Sequence, residues 1–173
     1  MEPSMYTVKG IAILDNDGNR LFAKYYDADG LSTFKEQKNF EKKLFSKTSR
    51  ANSEIIIIDG FTCLYKSNID LFFYVLGNVN ENELLLSNVL NCVYESICLI
   101  LHKNVEKRNL IDNLDAIMLV IDEIVDKGII LEADPEAIAH KVSIRSEDIP
   151  IGEQSVSQVL QTAKEQLKWS LLK

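Results

Sequence analysis

Proline and glycine are scarce in this sequence, with 3 prolines and 7 glycines among 173 residues. Disordered segments are commonly rich in these residues, so the composition argues against long disordered stretches. The hydrophobic share of 46% and the charged share of 26% are ordinary for a globular protein. A domain of ~150 residues hides roughly 70% of its unfolded surface, so a core can form without disulfides or metals. We expect one domain plus a tail.

Basic residues are in the minority: 19 lysines and arginines stand against 26 aspartates and glutamates, and the formal net charge is −7. Proteins that bind nucleic acid need a basic surface, because displacing counterions from the phosphates supplies much of the affinity. Binding to anionic lipid draws on basic clusters in the same way. The charge predicts no nucleic-acid partner and argues against strong unaided binding to a membrane.

Cysteine is rare, and its spacing suits neither a disulfide framework nor a zinc site. Cys63, Cys92 and Cys98 are odd in number, and no two form a C-x-x-C pair. We expect buried free thiols in a reducing compartment. The first ten residues do not resemble a signal peptide, no stretch approaches the ~20 apolar residues of a membrane span, and no N-x-S/T sequon occurs. These observations predict a cytosolic protein.

Catalytic motifs are missing as well. There is no Walker loop, G-x-G-x-x-G, H-E-x-x-H or G-x-S-x-G. His102 and His140 belong to no recognisable catalytic motif and are expected at the surface. The sequence therefore predicts that the chain is not an enzyme, and that it has no catalytic residue, cofactor or metal.

One segment imitates the start of a calcium loop. Asp15, Asp17 and Asn19 have the expected spacing, but Arg20 replaces the required glycine and Tyr26 replaces the bidentate glutamate. Asn, Asp and Gly tolerate positive φ, so this segment is predicted to be a hairpin turn.

Short apolar runs bounded by turn residues predict five strands and one helix in the first half of the chain. The helix is expected to start with Ser32 as N-cap and to run to about Lys47. Turns that short cannot hold parallel crossovers, so the strands should be antiparallel. The predicted strands are 6–14, 21–26, 55–59, 62–66 and 70–76.

The second half of the chain is predicted to be helical. Asn80 is the expected N-cap of a long helix, with Glu83 completing a capping box. Leu84, Leu85 and Tyr94 widen its apolar stripe, which predicts burial on more than one side.

A second long helix is predicted from Leu110 to Val125, with apolar residues at helical spacing and a left-handed cap at Gly128. Asp134 and Pro135 predict the start of a short helix to about residue 142.

The C-terminal part is predicted to be separate from this domain. Residues 143–152 are polar and contain Pro150, which indicates a linker, and 153–173 form an amphipathic helix. The predicted domains are therefore 1–142 and 143–173. The fold class is α/β of the α+β type: a five-stranded antiparallel sheet with the first helix on one face, the later helices on the other and a C-terminal helical tail.

Charge is distributed unevenly along the sequence. Residues 112–136 are strongly acidic, whereas residues 35–50 are basic. These segments could be two solvated helix faces, or a polarised surface that orients the protein between an anionic partner or membrane and a basic partner. The basic residues are Lys35, Lys38, Lys42, Lys43, Lys47 and Arg50.

Residues 64–73, LYKSNIDLFF, resemble the signature of the small subunits of vesicle-coat adaptor complexes. Further segments resemble one branch of these proteins, the zeta subunits of coatomer, over essentially the whole chain. They are ILDNDG at 13–18, AKYYD at 23–27, KNVEKR at 103–108 and AKEQLKWSLL at 163–172.

The resemblance implies a longin-like domain that acts as a non-catalytic subunit of the COPI coat, without a cofactor. It implies tight pairing with the coatomer gamma subunit, and through it with the rest of coatomer and with an Arf-family GTPase. It also implies a cytosolic protein, peripheral on Golgi membranes and COPI-coated vesicles, that acts in retrograde and intra-Golgi transport. The alternative is a stand-alone longin regulatory domain that binds another trafficking protein.

Some adaptor small chains help to bind dileucine sorting signals, and the resemblance places that peptide site at Leu71, Asn104, Val105 and Leu110. These residues could instead fill the core or face the gamma subunit. The resemblance alone leaves both interpretations open.

Overall fold

The computed structural model describes residues 5–26, 31–49 and 54–147. The predicted linker beyond residue 147 and the predicted tail helix lie outside these ranges. Residues up to Ser143 form one compact unit. The strands are β1 (Val8–Asp15), β2 (Arg20–Tyr25), β3 (Ile55–Ile58), β4 (Phe61–Asn68), β5 (Leu71–Asn78), β6 (Val125–Asp126) and β7 (Ile129–Ile130). The helices are α1 (Phe34–Thr48), α2 (Glu83–Ile100), α3 (Lys107–Asp112), α4 (Leu114–Ile124) and α5 (Pro135–Glu147).

The first five strands form one antiparallel sheet in the order β2-β1-β5-β4-β3. Side chains alternate between the two faces of a strand, and in the interior strand β1 both sets are buried. Ala12 and Leu14 pack with Phe40 and Leu44 of α1 in one apolar cluster. The opposite face of the sheet packs against α2 and α4 in a second, larger cluster. The predicted α+β fold class, with a five-stranded antiparallel sheet and helices on its two faces, is confirmed, whereas the predicted helical tail lies outside the described residues.

Two helices start later than predicted. The N-cap of α1 is Thr33, not Ser32: its hydroxyl accepts from the Glu36 amide at 3.3 Å, and the Glu36 carboxylate accepts from the Thr33 amide at 3.0 Å. The N-cap of α2 is Asn82, not Asn80, because a turn from Asn78 to Glu81 follows β5 before the helix begins.

The predicted second long helix is two helices, α3 and α4. They are separated at Asn113, whose side-chain amide donates to the Asn109 carbonyl at 2.8 Å. Such local bonds compete with the helical backbone pattern. Leu110 and Ile117 are nevertheless both buried, so the apolar spacing identified the core residues although it missed the break.

Gly128 does not cap a helix, which corrects the sequence prediction. Helix α4 ends at Ile124, and Lys127 and Gly128 form the two-residue turn between β6 and β7, with φ of 49° and 86°. Positive φ at both positions is the requirement of a type I′ hairpin. The Gly128 carbonyl accepts from the Val8 amide at 3.0 Å, which fixes this hairpin to the start of β1.

Helix α5 starts as predicted, with Pro135 as its first residue and the Asp134 carboxylate accepting from the Glu136 amide at 3.0 Å. It continues to Glu147, past the predicted end near residue 142, so residues 143–147 are helical and not a linker.

Helix α2 is long and apolar enough to cross a membrane, with a mean hydropathy of 1.4, but core helices of soluble proteins meet the same criterion. Its buried residues, among them Leu86, Val89 and Val93, pack in the larger core cluster. The predicted burial on more than one side is wrong for its first turn, where Leu84 and Leu85 are exposed.

Candidate functional site

The candidate peptide site lies where α2 ends and the chain returns toward the sheet. His102 and Lys103 both have a left-handed backbone, with φ of 50° and 68°. The Lys103 amide donates to the Cys98 carbonyl at 2.7 Å and the His102 amide to the Leu99 carbonyl at 3.2 Å. This is the Schellman pattern of a helix end, formed here without glycine. It sends residues 104–107 back across the turn between β4 and β5.

Three of the four residues predicted for a peptide site are buried. Leu71, Val105 and Leu110 are 0–3% exposed and belong to the same core cluster, whereas Asn104 is exposed. The Val105 carbonyl accepts from the Asn68 side chain at 3.2 Å, which holds this segment against the β4–β5 turn. The structure thus brings the predicted residues to one region, but with their apolar side chains in the core.

A partly buried ion pair positions α3 in the same region. The Lys107 ammonium group lies 2.8 Å from the carboxylate of Asp15, whose side chain is 1% exposed. The same carboxylate accepts from the backbone amides of Asp17 at 3.0 Å and Asn19 at 2.7 Å. The Lys107 amide donates to Asp70 at 3.1 Å. The segment that resembled a calcium loop is therefore a hairpin turn, as predicted, and its first aspartate joins that turn to α3.

The hydrogen bonds around Asp15 change its acidity. Burial alone would raise the pKa of this carboxyl, but the bonds from Lys107, Asn19 and Asp17 outweigh burial and lower the pKa to about 2. The hydrogen bond with Asp15 correspondingly raises the pKa of Lys107. Both groups are charged at neutral pH, so the contact is an ion pair under these conditions.

An open cleft of ≈ 370 Å³ lies beside this ion pair. Five of its six lining residues are charged, but most of the lining surface consists of apolar atoms. The lining residues are Asp70, Glu106, Lys107, Arg108, Ile111 and Asp112.

The peptide-binding hypothesis stays a prediction, and NMR can test it. If a dileucine peptide binds here, titration of the labelled protein will shift the amide resonances of Leu71, Asn104, Val105 and Leu110. Because three of these side chains are buried, binding also requires the 104–107 segment to open, so the shifts should extend to Asn68 and Lys107. A scrambled peptide of the same composition is the control. The absence of shifts at the four predicted positions would reject the hypothesis.

A second candidate surface is apolar and lies on the side of the sheet that carries α2 and α4. Leu84 is 75% exposed, and Met118 is 49% exposed. Ile57 of the edge strand is 62% exposed and, by strand alternation, faces the same side, because Ile56 and Ile58 pack in the cluster on the α1 side. Clusters of exposed apolar residues mark interaction sites. We name this set the α2–α4 surface; it consists of Ile55, Ile57, Leu84, Leu85, Leu99, Ile111 and Met118.

The cysteines and histidines are not arranged for catalysis in the described part of the chain. Burial raises the pKa of the Cys63 thiol to about 12 and that of the Cys92 thiol to about 11, so both stay protonated and poorly nucleophilic near neutral pH. Cys98 is half-buried, and His102 and His140 are exposed. Within residues 5–26, 31–49 and 54–147, no cluster of three His, Cys, Asp or Glu side chains could hold a metal.

The five-stranded antiparallel sheet with helices on both faces is the fold expected for the small subunits of adaptor-type coats. The family model of the clathrin adaptor complex small chain matches residues 7–149. The chain belongs to this family.

Within that family, the chain is similar to coatomer zeta subunits. It is 60% identical to coatomer subunit zeta-1 of Homo sapiens over 173 residues, covering 100% of this chain and 97% of the relative. It is 44% identical to coatomer subunit zeta-2 of Arabidopsis thaliana over 171 residues, covering 95% of each chain. A chain in a homology model of the full-length AP-3 complex has the same fold, with a TM-score of 0.66 at 18% identity, covering 81% of this chain and 94% of that one.

Proposed function

We propose that this chain is the non-catalytic small subunit of a coatomer (COPI) coat, acting in Golgi-to-endoplasmic-reticulum and intra-Golgi transport. The observation that carries the proposal is the 60% identity to coatomer zeta-1 over all 173 residues. The 44% identity to a plant zeta subunit gives further support, because it also extends along nearly the whole chain. A stand-alone longin regulator is not favoured, since these relatives are coat subunits.

We infer that the partner of this subunit is the coatomer gamma subunit, and that the α2–α4 surface is the side that binds it. Obligate partners bury large and comparatively hydrophobic interfaces. The exposed apolar side chains of α2, α4 and β3 supply such a surface, whereas α1 on the opposite side exposes mainly lysines. Through gamma, the subunit would join the rest of coatomer, contact an Arf-family GTPase, and reach Golgi membranes and COPI vesicles from the cytosol.

Co-expression with a coatomer gamma trunk, followed by size-exclusion chromatography with light scattering, tests the proposed function. A stable one-to-one complex is the expected result. Two separate peaks at about micromolar concentration, where an obligate pair stays associated, would contradict it.

The binding surface can be tested with a triple variant, Leu84→Gln/Leu99→Gln/Met118→Gln. These side chains are exposed, so the fold should persist, while affinity for gamma should fall at least tenfold as apolar contacts are lost. The control is Met5→Gln/Phe34→Gln/Leu131→Gln, three exposed apolar residues outside the α2–α4 surface. Affinities are measured by calorimetry. Equal weakening by the two triple variants would show that the interface is not specific to the α2–α4 surface.

A further inference from the structure

The solvent-facing side of α1 is predominantly positive, with five exposed lysines and one exposed glutamate. Phe40, Glu41, Leu44 and Thr48 are the buried residues of this helix. The residues on the opposite side of the helix, which follow one another at intervals of three and four, are exposed. We name four of its lysines the basic face; they are Lys35, Lys38, Lys42 and Lys43.

Two acidic residues of α1 bear on this charge. The exposed Glu36, at the N-terminal end of the helix, completes the capping box with Thr33 and offsets part of the positive charge there. Glu41 is 2% exposed on the opposite side, where it pairs with Arg20 at 2.7 Å and accepts from the Tyr25 hydroxyl at 2.8 Å. Among the ion pairs of the described residues, the basic face takes part in one, between Lys43 and the exposed Asp59 at 2.9 Å.

An aromatic side chain lies at the start of the basic face. Phe34 is 62% exposed. The Arg20 guanidinium lies 4.8 Å from the centre of its ring, and the Lys38 ammonium lies 5.5 Å from it. A phenylalanine beside lysines is a combination that protein surfaces use at the boundary between lipid headgroups and acyl chains.

We propose that the basic face of α1, together with Phe34, is a direct contact with a membrane rich in anionic lipid headgroups. The proposal rests on the proposed coat function for the presence of a membrane. The residue type favours lipid over a protein partner, because protein interfaces are enriched in arginine and depleted in lysine. Lysine is a mobile point charge that suits an array of fluid phosphates, whereas arginine suits fixed bidentate contacts. The apolar α2–α4 surface, on the other side of the sheet, remains available to the protein partner.

The net charge of −7 does not prevent such a contact. At physiological ionic strength the screening length is about 8 Å, while α1, with 15 residues, is roughly 22 Å long. The membrane therefore senses mainly the local charge of the helix that faces it. Each lysine near an anionic surface strengthens binding by roughly fivefold, so the contact is weak alone and adds to the other membrane contacts of the coat.

Flotation of the full-length chain with phosphatidylcholine vesicles that contain phosphatidylserine, at low and then physiological salt, tests the proposal. The test variant is Lys35→Gln/Lys38→Gln/Lys42→Gln, because glutamine keeps the helix propensity of lysine. The control, Lys103→Gln/Arg108→Gln/Lys127→Gln, removes the same charge from exposed positions outside α1. We expect the wild type and the control to float in a salt-sensitive manner and the α1 variant to bind at least tenfold less.

Three outcomes would overturn the proposal: no flotation of the wild type, equal loss in the two triple variants, or binding of the basic face to an acidic peptide such as poly-glutamate but not to vesicles. The last outcome would assign α1 to a protein partner. Gamma binding, measured on the same samples, separates this proposal from the coat function. A chain that floats but forms no complex contradicts the coat function alone, and one that forms the complex but never floats contradicts only the lipid contact.

Discussion

Replacing Gly128 with alanine is expected to lower the free energy of unfolding by about 3 kcal/mol. At φ of 86° an alanine is strained by about 1 kcal/mol. Its Cβ would also lie 2.6 Å from the Val8 carbonyl oxygen, a backbone atom that cannot rotate away. Relieving that overlap requires the β6–β7 hairpin to move from β1, which would break the hydrogen bond from the Val8 amide to Gly128. Urea unfolding followed by circular dichroism measures the loss.

Gly60→Ala is the matched control for this prediction. Gly60 has nearly the same φ, 87°, in the turn between β3 and β4, but an added Cβ would meet no atom within 4 Å. The Gly60→Ala variant should therefore lose only the free energy that corresponds to backbone strain, about 1 kcal/mol. Equal losses in the two variants would mean that contact with Val8 contributes nothing and that strain alone explains both.

The five strands of the main sheet could be predicted well, because short apolar runs and the turn residues between them mark the ends of each strand, whereas the two-residue strands β6 and β7 were missed. The first residues of the helices were harder to predict than the ends of the strands. Asn80, Asn82 and Ser32 are all suitable caps, and only the length of the turn after β5 or the path into α1 decides which one is used. The role of Gly128 was missed because a glycine after an apolar helix fits a helix cap and a two-residue hairpin equally well.

At the candidate site, contacts between residues close in sequence could be predicted, whereas contacts between residues far apart in sequence could not. The turn at Asp15 was predictable because its hydrogen bonds go to Asp17 and Asn19, a few residues away. The pairing of Asp15 with Lys107 spans 92 residues of sequence, and nothing in the local pattern of either segment indicates it. Burial of Val105 in the core was one of the two interpretations that the sequence left open, and the non-glycine turn at His102 and Lys103, which leads the chain back to the sheet, could not be predicted.

Asp15→Asn is expected to destabilise the protein by roughly 2 kcal/mol near neutral pH, because the pKa of Asp15 falls from 3.8 to about 2 on folding. The asparagine keeps the shape but turns an amide toward the Lys107 ammonium, and the charge is lost. The control is Asp59→Asn, which removes an exposed ion pair with Lys43 and should cost at most about 0.5 kcal/mol. In a double-mutant cycle with Lys107→Met, the double variant should lose less stability than the sum of the single variants.

The pH dependence separates charge from packing at Asp15. A carboxyl whose pKa is lower in the folded state stabilises the fold at all pH values above its unfolded pKa, here 3.8, and the contribution is lost as the pH falls toward about 2. The difference in unfolding free energy between wild type and Asp15→Asn should therefore be constant at and above about pH 5 and shrink steadily below about pH 4. Urea unfolding at a series of pH values gives this difference directly. A difference that did not change with pH would show that the variant acts through the geometry of the β1–β2 turn. The charge of Asp15, and with it the ion pair to Lys107, would then contribute nothing to the free energy of unfolding.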